Sequence, residues 1–217
     1  MSAPYQFVAK PFYRLLQLTD CHLLAEPAGE YQRIQPYRHL AALLGSLKTQ
    51  TFDALILTGD LTQDHSLASY QLLADLLKDW PSPVFYLPGN HDELNLMAQA
   101  FAKPPFVAAT ELTASGWKWL LLNSKGPTPA GEFAQSRLTE LAAVLKNTPT
   151  PVWLFCHHHP IPIGAAIDRH ALQQPRYGAE HQGEQHERRN ALAQRQAQKL
   201  VAKPLSALIE TKRLMKK

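Results

Sequence analysis

Cysteine is scarce: Cys21 and Cys156 are the only two in 217 residues, too few to staple a chain of this length. They form neither a zinc-finger pattern nor a CxxC pair, which excludes a disulfide scaffold and a structural zinc domain. Long apolar runs are missing as well. None approaches the ~18 residues that a membrane span needs. Near the N-terminus, the apolar stretch 12–18 is interrupted by Arg14 and Gln17, which is not a secretory signal, so a cytoplasmic location and no membrane partner are expected. Internal repeats are absent. Charged residues are 18% of the chain against 45% hydrophobic, a balance that fits one globular domain, or one domain with a tail.

Base is present in excess, with a formal net charge of +4 and a pI near 9.1, but it is unevenly placed. Residues 1–172 carry 12 Lys+Arg against 14 Asp+Glu, a net −2, whereas residues 173–217 carry 10 against 4, a net +6. The same tail is rich in glutamine, from Gln173 and Gln174 to Gln194, Gln196 and Gln198. Arg176, Arg188, Arg189, Arg195 and Lys199 would suit a nucleic-acid arm, but Tyr177 is the tail's only aromatic, so no stacking platform is visible. Nucleic acid is not expected as a partner.

Up to residue 172 the chain alternates short apolar runs with amphipathic stretches, the signature of strands joined by crossover helices. Strands are predicted over 14–18, 54–57, 84–87, 117–122 and 152–155, and helices over 37–47, 67–77 and 138–145. Breakers fall between them at Pro36, Pro81, Pro83, Pro149 and Pro151. Beyond 172 the alternation stops. Residues 173–190 read as loop or disorder, and Leu192, Leu200, Leu205 and Leu208 could stripe a helix broken at Pro204.

In open α/β sheets reactive groups sit just past the C-terminal ends of strands. Here those positions read Thr19-Asp20-Cys21-His22, Thr58-Gly59-Asp60, Pro88-Gly89-Asn90-His91-Asp92, Asn123-Ser124 and Cys156-His157-His158-His159. An isolated Asp-x-His is more often a helix cap beside a surface histidine, and Thr-Gly-Asp serves equally as a turn. In Pro88-Gly89-Asn90-His91-Asp92 a sharp turn is forced, and Asn, His and Asp are expected to emerge together. Carboxylate, imidazole and amide oxygen in one rim suit a hard to borderline divalent cation. Of three consecutive histidines only one or two can face a site. Cys21 and Cys156 read as small buried residues, not reactive thiols.

Taken together, the blocks Asp20-Cys21-His22, Gly59-Asp60-Leu61-Thr62-Gln63-Asp64, Gly89-Asn90-His91-Asp92 and His157-His158-His159-Pro160 resemble the calcineurin-like metallophosphoesterase superfamily. Within it they are most similar to the bacterial class III 3′,5′-cyclic-AMP phosphodiesterases, with Ile167-Asp168-Arg169-His170-Ala171-Leu172 as a supporting block. The likeness spans about residues 12–172. It implies a four-layer α/β/β/α sandwich and a hydrolase holding two divalent ions (Fe, Mn or Zn). Asp20, His22 and Asp60 would bind the first metal and Asp60, Asn90 and His157 the second, with Asp60 bridging. A hydroxide between the ions would attack the phosphodiester of a cyclic nucleotide, giving the 5′-monophosphate. Asn90 and His91 would contact substrate and His91 would protonate the leaving oxygen, while His158 and His159 orient or pack.

The resemblance fails at one place. The family pattern continues into a Gly-His-x-His block that completes both metal sites, and no such block occurs here; His181 and His186 stand five apart. The expectation is therefore a domain over 1–172 with its C-terminal part lost, for example through a shifted reading frame, an incomplete second sheet, and a basic glutamine-rich tail over 173–217. A second reading follows, a non-catalytic remnant with weakened metal binding.

Overall fold

A computed structural model of the chain describes residues 3–161. The tail over 173–217, the block at 167–172 and the expected incompleteness of the second sheet lie outside the described residues. In chain order the elements are β1 (Tyr5–Gln6), β2 (Leu15–Leu18), α1 (Pro36–Leu47), β3 (Ala54–Thr58), α2 (Leu67–Leu77) and β4 (Val84–Leu87). There follow α3 (Leu94–Ala100), β5 (Phe106–Val107), β6 (Glu111–Ala114), β7 (Trp117–Leu121), α4 (Gln135–Asn147) and β8 (Val152–Phe155).

Two four-stranded sheets result, ordered β2-β3-β4-β5 and β1-β6-β7-β8. The first is wholly parallel. Every residue of β3 is buried, as a strand covered on both faces must be, which is why it reads as an unbroken apolar run. On one face Leu55 and Leu57 pack with Leu40, Leu44 and Leu47 of α1 and Tyr70, Leu73 and Leu77 of α2. Those helical positions recur at three and four, so each helix turns a single stripe inward. α1 begins at Pro36, whose missing N–H costs nothing in the first turn. α2 is capped by the Ser66 hydroxyl, which accepts from Ser69 N.

The opposite face of the first sheet, with Ala54, Ile56, Phe85 and Leu87, meets Leu112, Ala114, Trp119 and Leu121 of the second. Alternate residues of β7 point the other way: Leu120, with Leu122 beyond the strand, packs with Phe133 and with Leu138, Leu141 and Val144 of α4. The layers therefore run α/β/β/α, the sandwich expected from sequence. β6 and β7 form an antiparallel hairpin whose two turn residues, Ser115 and Gly116, are both left-handed at φ 41° and 81°, as a tight hairpin turn requires. β8 joins β7 in parallel, and this brings the C-terminal end of a strand from the second sheet beside those of the first. No helix among the described residues is long and apolar enough to cross a membrane.

Candidate metal centre

The expected site residues follow the C-terminal ends of β2, β3, β4 and β8. Backbone bonds stitch the first two loops together: Asp20 N donates to Gly59 O at 2.9 Å and His22 N to Asp60 O at 3.0 Å. The chain turns sharply to present these side chains. Asp20, His22 and Asp60 all lie in the left-handed region, at φ 55°, 45° and 50°, where a non-glycine residue costs roughly 1–2 kcal/mol. Such strain persists only where the surroundings hold it in place. Gly59 and Gly89 supply the needed closeness: a Cβ on Gly89 would sit 2.2 Å from Asp60 Oδ1 and 2.4 Å from Asp60 N, and one on Gly59 2.5 Å from Gly89 N.

Asp60, 5% exposed, is the hub. Its Oδ1 accepts from His91 N at 2.9 Å. Its Oδ2 lies 3.4 Å from His157 Nε2 and 3.9 Å from His22 Nε2, so one oxygen, not two, stands between the imidazoles. His22 Nε2 is also 3.7 Å from Asp20 Oδ1. His157 Nδ1 meets Thr58 O at 3.0 Å. A carbonyl only accepts, so Nδ1 carries a proton and Nε2 is the nitrogen that faces Asp60. Ligand atoms of Asp20, Asp60 and His157 all lie within 4.8 Å of one another.

These spacings test whether a cation fits. Separations of 3.4–3.9 Å are too long for strong hydrogen bonds, yet match two donors that each stand ~2.0–2.2 Å from one ion. His22 Nδ1 is buried without a hydrogen-bond partner, while its Nε2 faces the Asp20 and Asp60 carboxylates. The electrostatics agree. Burial opposes ionisation of Asp60, but hydrogen bonding and charge from His157, with the His91 N–H, outweigh it and take the carboxyl down to about 2. Burial likewise opposes charge on Asp20, and its bonds to His22 and Thr19 prevail to lower it. His22 and His157 are raised, because the neighbouring carboxylates overcome desolvation. Positive charge is favoured at every point of the cluster, and the donor set fits a divalent cation.

Asn90 and His91 are held in the turn after β4. Asn90 is half-buried, and its carbonyl accepts from Lys125 Nζ at 3.0 Å. His91 packs edge-on to His22 with ring centroids 5.3 Å apart, and stacks on His65 at 5.5 Å. Its Nδ1 is buried without a hydrogen-bond partner. Burial, helped by the charges of His22 and His65, holds its pKa below the ordinary histidine value against the pull of Asp60. His22 is flanked on its other side by the Tyr31 ring, at 5.0 Å.

One sequence expectation is corrected here. Asp92 does not emerge with Asn90 and His91: it is fully buried and accepts from Gly89 N (2.9 Å), Leu61 N (3.1 Å) and Tyr70 hydroxyl (3.0 Å). It fastens the β4 turn to the β3 turn from beneath. His158 is also buried, its Nδ1 2.8 Å from Ser124 Oγ and its Nε2 3.1 Å from Pro129 O, and burial pushes its pKa down to about 4. It packs and does not join the cluster. Burial raises the Cys21 and Cys156 thiols to about 12 and about 11, so neither is a ready nucleophile. Tyr70, Asp92 and Lys125 carry no motif of their own; only the block around Asp92 was visible in sequence.

Residues 13–198 match the calcineurin-like phosphoesterase family. A probable cyclic nucleotide phosphodiesterase of Pseudoalteromonas sp. (strain SM9913) is 41% identical over 162 residues, covering 74% of this chain and 62% of its own. The 3′,5′-cyclic adenosine monophosphate phosphodiesterase CpdA of Haemophilus influenzae is 35% identical over 170 residues, covering 76% and 62%. The enzyme of the same name from Escherichia coli K12 is 33% identical over 166 residues, covering 74% and 60%. The chain thus spans less than two thirds of these relatives' lengths.

Proposed function

The chain belongs to the calcineurin-like phosphoesterase family, and we propose that it is a metal-dependent phosphodiesterase that opens a cyclic nucleotide, 3′,5′-cyclic AMP, to its 5′-monophosphate. One observation carries this reading: Asp20, His22, Asp60 and His157, drawn from three strand ends in two sheets, converge around Asp60 Oδ2 with spacings that suit a cation. The activities for which the three relatives are named supply the substrate class.

Asp20, His22 and Asp60 would hold one divalent cation and Asp60, Asn90 and His157 a second, with Mn, Fe and Zn all compatible with this donor set. Bound there, the pair would neutralise phosphate charge and make water a stronger nucleophile. The protein's own part is to place the proton. Hydrolysis adds the oxygen of water to phosphorus, breaks the bond to the 3′-oxygen and leaves that oxygen needing a proton. His91, beside His22 and on the Asp60 side of the rim, is the group that gives it. A ring whose pKa lies below the usual value is the better acid once protonated.

Product analysis tests the reading. Cyclic AMP incubated with Mn-loaded protein should yield 5′-AMP, and His91→Ala should slow this by roughly 10²-fold or more. Accumulation of 3′-AMP, or no product, contradicts it. The alternative reading is a metal rim without turnover. Metal content after dialysis separates the two, with two retained ions per chain supporting the enzyme and one or none the remnant.

A further inference from the structure

Lys125 belongs to none of the blocks that signal the site. It follows β7 in the second sheet, yet its Nζ donates to Asn90 O at 3.0 Å and Asp92 O at 2.7 Å, and lies 3.6 Å from Glu93 Oε1. An ammonium has three protons to donate, and three oxygens of the β4 turn surround this one. A phosphate-binding lysine would keep donors free for its ligand; this side chain, 26% exposed, commits them to the protein.

The base from which Lys125 reaches is itself fixed. Its N–H donates to Asn123 Oδ1 at 2.9 Å, a side-chain turn that reverses the backbone. Next to it, Ser124 Oγ lies 2.8 Å from His158 Nδ1 and accepts from His158 N at 3.3 Å, while Ser124 O accepts from Glu132 N at 3.0 Å. On the far side the clamp extends to the His91 ring. Glu93 Oε1 is 3.9 Å from His65 Nδ1, and His65 stacks on His91. His65 is held at a left-handed φ of 56°, with Asp64 before it accepting from Ala25 N and Ser66 N.

We propose that Lys125 is a positioning residue for the candidate centre, holding Asn90 and His91 against Asp60 from the opposite sheet. The inference deepens the proposed function and rests on its assignment of Asn90 and His91. Without the ammonium, the carbonyls of residues 90 and 92 lose this partner, and the turn is left with the Asp92 carboxylate's bonds to Gly89, Leu61 and Tyr70, the His91 N–H on Asp60 and the Glu93 N–H on Tyr70.

Two measurements on the full chain test this, comparing the parent with Lys125→Met, which keeps the stem and removes the donors, and Lys125→Arg, which keeps donors and charge. Hydrogen–deuterium exchange on metal-free protein should show residues 88–93 opening about tenfold more often in Lys125→Met, with residues 54–58 unchanged. With Mn present, kcat for cyclic AMP should fall roughly 10–100-fold while KM moves less than about threefold, and Lys125→Arg should restore most of both. Parent-like exchange in Lys125→Met, or loosening shared equally by 54–58, overturns the proposal. So does a kcat within about twofold of an active parent. If the parent is inactive, exchange still decides the role of Lys125, and only the proposed function falls. If Lys125→Met does not fold, Lys125→Gln, neutral and too short to reach both carbonyls, stands in the same comparison.

Discussion

Asp60 is placed by crowding as much as by hydrogen bonding. Its backbone is left-handed, and the backbone of Gly89 comes so near that no side chain fits between them. Gly89→Ala should therefore destabilise the protein by roughly 1–3 kcal/mol and abolish metal retention, measured by urea unfolding and by metal content. The neighbouring loop offers a pH test away from the cation cluster. Burial opposes ionisation of Asp64, but bonds from Ala25 N and the Ser69 and Ser66 groups outweigh it and lower its pKa. A depressed carboxyl stabilises the fold above its unfolded value near 3.9 and loses that effect as pH falls through the folded value. Asp64→Asn should cost about 0.5 kcal/mol at pH 7, the low end for a hydrogen-bonded group open to solvent. The difference from the parent should shrink as pH falls through the folded value; a gap unchanged in acid contradicts this role for Asp64. At this scale Asp20, His22, Asp60 and His157 were legible because each follows an apolar strand directly. The anchoring roles of Asp92 and Lys125 were not, because each reaches as far as 31 and 35 residues along the chain, to Leu61 and Asn90, and a buried anchor looks in sequence like any other polar residue.

The elements that bear the site are those with the clearest periodicity. β3, β4 and β8 stand where apolar runs predicted them, and α2 matches its expected bounds. α4 is longer than the stretch 138–145, because its first turn, Gln135 to Arg137, is polar and carries no stripe. β1 and β5 have two residues each, too few for any alternation. α3 has no side-chain cap at Glu93, so no start signal marks it. Its N-terminus is set instead by Tyr70 of α2, whose hydroxyl accepts from Glu93 N at 2.7 Å and donates to Asp92. Tyr70→Phe keeps the packing and removes both bonds, leaving a buried carboxylate short of a donor. It should cost about 1–3 kcal/mol in denaturant unfolding; a change below about 0.3 kcal/mol contradicts the link between α2 and the β4 turn.

In the whole molecule, the junction of two sheets creates the centre. The first sheet brings Asp20, Asp60, Asn90 and His91 to one edge, and β8 of the second delivers His157. The overall basic pI was a poor guide to this, since residues 1–172 are net −2 and the excess base lies in 173–217. Within the cluster, lowered carboxyls and raised imidazoles favour positive charge, which a bound cation supplies. We propose that this junction, centred on Asp60, hydrolyses phosphodiesters with bound metal. Hydrolysis of bis-p-nitrophenyl phosphate, assayed with and without Mn on the parent and on Asp60→Ala, tests it most directly. Mn-stimulated turnover is expected in the parent, with a loss of at least about 10²-fold in Asp60→Ala; equal rates in the two proteins, or a parent indifferent to Mn and to chelator, would overturn it.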